Sequence, residues 1–125
     1  MSGLPMWKPH RQSNAKRTEY NGRKYMSGFE ADVAMWLDSF VKTGELSEVK
    51  SQYKIILDVN GHHVTTHIVD FLLTFPDGRQ KFLEAKGQAE REWRIKWKLT
   101  EALYPETPYL VYWYSKPLSI KELLK

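Results

Sequence analysis

Cysteine is absent from the 125 residues. Its absence excludes disulfides, thiolate metal sites and cysteine nucleophiles together, so any metal must sit on oxygen or imidazole ligands. No run of about 18 apolar residues occurs, so no transmembrane helix is expected. The stretch Met1 to Lys24 is polar and basic, without the apolar segment of a signal peptide. A soluble, cytoplasmic protein is the expectation, with no membrane partner. Internal repeats and low-complexity linkers are also missing, and the length suffices for one core of ordinary size but not for two. Acids are scarce at the N-terminus, where Lys8, His10, Arg11, Lys16, Arg17, Arg23 and Lys24 stand beside Glu19 alone. A second basic group, Arg91, Arg94, Lys96 and Lys98, surrounds Trp93 and Trp97. With a net charge of +4, both groups suit a polyanion such as DNA. The same charges would equally suit a solvated tail and a solvated helix face.

What is present reads as one α/β domain over 25–125, preceded by a basic arm over 1–24 that lacks periodicity and is expected to be flexible. From Ser27, the residues Phe29, Val33, Trp36, Leu37, Phe40 and Val41 make one apolar helical stripe, and Gly44 is placed to end it. "SQYKIILDV" and "HHVTTHIVDFLLTF" are rich in β-branched and aromatic residues, with Asn60-Gly61 between them as a turn. "QKFLEAKG" supplies a further strand. The segment Gln88 to Tyr104 reads as a second helix with Ile95, Leu99, Ala102 and Leu103 as its apolar face, stopped by Pro105. "YLVYWY" completes the pattern as a buried strand. The order α-β-β-β-α-β predicts a central mixed β-sheet of about four to five strands flanked by helices.

Two of these strands carry charges where a core is expected: Asp70 in one, Glu84 and Lys86 in the next. Between them, Phe75-Pro76-Asp77-Gly78-Arg79 fits a three-residue hairpin loop, with proline opening a type I turn and glycine supplying the left-handed residue of a bulge. If Phe75 pairs with Arg79, Asp70 falls opposite Glu84 and Ile68 opposite Lys86. Side chains alternate along a strand and directly opposed residues share a face, so the three charges converge. A two-residue Asp-Gly loop would shift the register by one and separate them. Two neighbouring carboxylates on a buried face repel and lose hydration, and they persist only with a compensating charge. Hard oxygen ligands suit Mg²⁺ or Mn²⁺, with Lys86 beside the ion to orient a water or stabilise charge on a phosphate. A structural Asp-Lys-Glu ion cluster is the alternative.

Asp70, a hairpin, then Glu84-Ala85-Lys86 resembles the PD-(D/E)XK nuclease signature, in which a strand aspartate and a glutamate two residues before a lysine bind the metal. Val69 stands where that signature has proline. "NAKRTEYNGRKYMSGFEA", "GELSEVKSQYKIIL" and "WRIKWKLTEALYP" are similar, in order and spacing, to a small phage-associated branch that includes Holliday-junction-resolvase-like endonucleases, so the resemblance runs from Asn14 to Trp113. It departs at Met26 and Gly28, where the branch has aspartate and lysine, while Ser27 and Glu30 are kept. The resemblance implies a restriction-endonuclease-like core and a Mg²⁺-dependent endodeoxyribonuclease, with Mn²⁺ as substitute. Asp70, Glu84 and the Ala85 carbonyl would be the metal ligands, Lys86 the catalytic base or charge stabiliser, and Glu30 the acid on the first helix. Gln52 would touch the scissile phosphate or its water. Arg94 and Lys98 on the second helix would contact phosphate, with Lys16 and Arg17 of the arm binding substrate.

The implied partner is DNA, branched or otherwise, cut by a homodimer in phage DNA processing in the host cytoplasm. A transposase-associated nicking nuclease is similar at greater distance. A non-catalytic DNA-binding module on the same fold, and an arm that binds an acidic protein surface, remain as alternatives. Several residues have a plainer reading. Ser27 and Glu30 form a capping-box pattern, and Gln52 suits a polar sheet edge. His62, His63 and His67 have no acidic or thiol partner at metal-ligand spacing and are expected to be structural or exposed. Trp93 and Trp97 would stack on bases or cover the sheet.

Overall fold

The computed structural model describes residues 18–20, 23–25 and 28–125, with side chains from residue 28 onward. Strands β1 (Thr18–Tyr20) and β2 (Arg23–Tyr25) form an antiparallel hairpin beside the first helix. Part of the stretch expected to be a flexible arm is therefore strand. Lys16, Arg17 and the capping serine Ser27 lie outside the described residues.

Helix α1 (Gly28–Lys42) follows the apolar stripe, burying Phe29, Val33, Trp36, Leu37 and Phe40. Gly44, at φ +87°, ends it as a Schellman motif in which the Glu45 N–H donates to the Phe40 carbonyl and the Gly44 N–H to the Val41 carbonyl. Strands β3 (Glu48–Val59) and β4 (His62–Thr74) then pair antiparallel. They meet at Asn60-Gly61, both at positive φ as a type I′ turn requires. Strand β5 (Gln80–Lys86) returns along β4 in the expected register, Phe71 opposite Leu83 and Thr74 opposite Gln80. The Phe75 N–H donates to the Arg79 carbonyl and the Gly78 N–H to the Phe75 carbonyl, with Gly78 at φ +94°. The Pro-Asp-Gly loop is thus formed as the turn chemistry predicts.

Helix α2 (Arg91–Leu103) crosses over to β6 (Tyr109–Trp113), parallel to β5, giving a four-stranded mixed sheet in the order β3-β4-β5-β6. Alternation divides the core between its faces. Phe71, Leu73 and Leu83 pack with α1, while Leu72, Phe82 and Tyr109 pack with Trp93 of α2. A short helix not foreseen from the sequence, α3 (Ile120–Leu124), closes the α1 side through Leu123. Its C-terminal carbonyls accept from basic residues, Leu123 from buried Lys81 and Lys125 from Arg79, the favourable sign for a helix C-terminus.

Three expectations change. The face that α2 buries is only half the expected one: Leu99 and Leu103 are half-buried against the core, but Ile95 is 59% exposed and Ala102 is exposed. Trp93 and Thr100 are buried instead, with Trp97 and Tyr104 half-buried on the same side. Two indoles bury more apolar area than an isoleucine and an alanine, and Trp113 of β6 offers them a ring partner, so the helix is rolled toward its tryptophans. Secondly, α2 begins at Arg91, not Gln88. Thirdly, β6 is only partly buried, at Tyr109 and Tyr112, because it forms a sheet edge.

The sheet also has an irregularity with no counterpart in the sequence pattern. The register of β3 against β4 is continuous from Ser51 opposite Phe71 to Tyr53 opposite Val69, but Gln52 forms no ladder pair with Asp70 and sits at φ 55°. Val49 and Phe71 pack with α1, whereas Tyr53, Ile55 and Val69 pack with α2. The inside-outside phase of both strands therefore reverses at Gln52 and Asp70. A left-handed glutamine costs of order 1–3 kcal/mol and persists only where its surroundings hold it.

Candidate active site

The β4–β5 ladder runs from Thr74/Gln80 to Phe71/Leu83 and stops one step short of Asp70 and Glu84. Two backbone N–H groups would be left unpaired at this opening, and the two carboxylates take them reciprocally. The Asp70 N–H donates to Glu84 Oε1 at 3.1 Å, and the Ala85 N–H donates to Asp70 Oδ2 at 2.9 Å. The acids thus sit side by side at the point where the strands part. Glu84 and Lys86 bond toward β6, as the Tyr114 N–H on the Lys86 carbonyl shows. Ala85 turns the other way, and in an extended strand its carbonyl follows its N–H toward Asp70.

Lys86 completes the group. Its Nζ lies 3.7 Å from Glu84 Oε2 and 3.9 Å from Glu90 Oε1, and 4.8 Å from the centre of the Trp93 ring. From the other face α1 contributes Glu30, only 5% exposed, whose Oε2 accepts from Gln52 Nε2 at 2.7 Å. The fold therefore brings Glu30, Gln52, Asp70, Glu84 and Lys86 together from four elements. Burial raises the Asp70 carboxyl well above its usual range, followed by the charges of Glu84 and Glu30. Burial likewise pushes Glu84 up to about 7, against the Asp70 N–H and Lys86, which lower it, and with Glu30 raising it further. Three acids stand against one half-buried lysine, an excess of acidic groups over basic ones.

That excess is the test of fit for a cation. Among the described residues no group of three His, Asp or Glu side chains could hold a metal ion by itself. Two carboxylates and the Ala85 carbonyl do offer adjacent hard oxygens, a donor set that suits Mg²⁺, which keeps several waters and takes one or two carboxylates. A cation would also relieve the repulsion that raises both acids. The residues present fit a divalent ion of this kind.

Other candidates are placed apart. Arg94 and Lys98 are exposed on α2, with Lys98 Nζ 4.6 Å from the centre of the Trp97 ring and 3.6 Å from Glu101. Trp93 and Trp97 stack on each other at 4.9 Å and cover the sheet. His62 is exposed, and His63 pairs with Asp58. His67 is buried, with Nε2 2.7 Å from the Tyr109 hydroxyl. Burial lowers its pKa to about 4, aided by the charges of Lys96 and Lys86. Burial, with Glu84 next in effect, raises the Tyr109 hydroxyl. The sequence reading missed Glu90 and the contact of the Trp93 ring with Lys86, and named Lys96 only as one of the basic group around the tryptophans. The shallow cleft lined by Phe75, Pro76, Arg79 and Leu124 lies at the hairpin-loop end of the β4–β5 pair and contains none of these residues.

Set beside family models, curated proteins and solved structures, the chain matches none of them. No helix among the described residues is long and apolar enough to cross a membrane.

Proposed function

We propose that this chain is a metal-dependent DNA endonuclease with a restriction-endonuclease-like core. The observation that carries the reading is the opened β4–β5 ladder, where Asp70 and Glu84 cap each other's strand and Lys86 stands 3.7 Å from Glu84. A purely structural ion cluster would match acids with bases, whereas this one gathers three acids, Glu30 and Glu84 buried and Asp70 half-buried, around one lysine. Asp70, Glu84 and the Ala85 carbonyl would hold Mg²⁺, replaceable by Mn²⁺, and the chemistry supplied there is Lewis acidity toward a phosphodiester oxygen. Lys86 is placed to stabilise charge developing on that phosphate. Glu30 fixes the amide of Gln52, leaving the glutamine carbonyl to orient a water or a phosphate-bound hydroxyl. Branched DNA and a homodimer are the substrate and assembly that the resemblance of the chain favours, with single-strand nicking as the variant of the same chemistry.

The test is cleavage of linear duplex, supercoiled plasmid and a four-way junction in Mg²⁺, Mn²⁺ or EDTA, with Glu84→Ala and Lys86→Ala alongside. Cutting should require the metal and fall at least about a hundredfold in each variant, as when a charge-stabilising donor is removed. DNA binding should survive in Lys86→Ala. Binding of DNA by the wild type without cutting in either metal would favour a non-catalytic DNA-binding module.

A further inference from the structure

We propose that Lys96 forms, with Lys86, a second anion subsite for a DNA phosphate flanking the scissile one, on the β4 side of α2. The inference rests on the nuclease reading and adds a residue to it. Helical geometry sets the direction. At about 100° per residue, Trp97 lies about 40° to one side of Trp93 and Lys96 about 60° to the other. Both indoles reach β6: the Trp97 ring centre lies 6.5 Å from that of Trp113 and 6.1 Å from that of Tyr109, and the Trp93 ring centre 6.0 Å from that of Trp113. Lys96 stands on the flank of Trp93 opposite Trp97, where its charge acts on His67 of β4, the strand that carries Asp70.

Burial and chemistry agree with that placement. The Lys96 side chain is 28% exposed and that of Lys98 is 71% exposed. Lys96 and Lys86 both lower the pKa of buried His67, which lies three residues before Asp70 on β4. Held neutral, His67 adds no charge, so two lysines from different elements supply the positive field around one buried ring. The charged partner of Lys96 is Glu92, 3.8 Å away and 84% exposed, an ion pair at the surface that a phosphate can replace at little cost. Arg94 and Lys98 lie on the Trp97 flank of the helix.

The experiment measures Kd for labelled duplex and four-way junction against salt concentration in EDTA, for the wild type, Lys96→Ala, Lys96→Arg and Lys98→Ala. Each phosphate contact contributes close to one unit of log–log salt slope. Lys96→Ala should lose about one unit, Lys96→Arg should restore most of it, and Lys98→Ala should change it less. His67 ring resonances, followed by NMR, give a readout independent of DNA: in Lys96→Ala the His67 pKa should rise from about 4. An unchanged slope in folded Lys96→Ala, with the wild type binding well, overturns the subsite and leaves the nuclease reading standing. A loss in Lys98→Ala as large as in Lys96→Ala, or an unmoved His67, also overturns it. A wild type that binds no DNA overturns both.

Discussion

Replacing Glu84 by glutamine should make the protein more stable at pH 8 in the absence of divalent cations. Glu84 has a folded pKa of about 7 against an ordinary 4.5, and at about 1.4 kcal/mol per unit the ionised carboxylate destabilises the fold by about 3 kcal/mol. The sign follows from proton counts. Between about 4.5 and 7 folded Glu84 keeps a proton that it has released in the unfolded chain, so its own contribution to stability falls as pH rises through that window, while His67, lowered to about 4, contributes with the opposite sign in wild type and variant alike. The amide introduced by Glu84→Gln would keep an oxygen for the Asp70 N–H but deprive Lys86 of its nearer partner. The net gain is therefore about 1 to 3 kcal/mol, which for a domain of this size raises Tm by roughly 4 to 12 °C. Thermal unfolding followed by circular dichroism in EDTA, from pH 5 to 8.5, would read it. The two proteins should be alike at pH 5 and diverge toward pH 8, and Mg²⁺ should raise the wild-type Tm while leaving the variant nearly unmoved. A variant less stable than wild type at pH 8 would refute the reasoning, because Glu84 would then be a net stabilising partner of Lys86.

Two further substitutions probe the backbone that builds the site. Gln52→Ala loses the 2.7 Å bond to Glu30 while keeping φ near 55°, and should cost about 1–2 kcal/mol, whereas Gln52→Gly relieves the strain and should cost close to nothing. Equal urea midpoints for the two variants would show that the left-handed conformation is not a cost. Gly78→Ala puts a Cβ into open space at φ +94°, so its cost should be the conformational one alone, about 1 kcal/mol. Denaturant unfolding measures it, and retained DNA cleavage would show that the loop still sets the β4–β5 register.

Local chemistry determined a good part of this fold. Asn60-Gly61 and Pro76-Asp77-Gly78 each demand one turn type, and a turn type with period-two alternation dictates register, which is why Asp70 could be placed against Glu84 and Lys86 by counting along the chain. The stripe of α1 and its glycine stop were legible for the same reason. Elsewhere the deciding energy was tertiary. The roll of α2 toward Trp93 and Trp97 depends on Trp113, a ring twenty residues away in sequence from the first of them, and no helical pattern contains that partner. The reversal of sheet phase at Gln52 exists only because α1 and α2 claim opposite faces of the same strand pair, with Glu30 bonded to the kinked residue. Sequence alone thus determined which carboxylates meet, since that follows from a turn and a count. Which helix lysine stands toward them, and how strained the strand beside them must be, depended on packing between elements distant in the chain, and only the tertiary structure decided it.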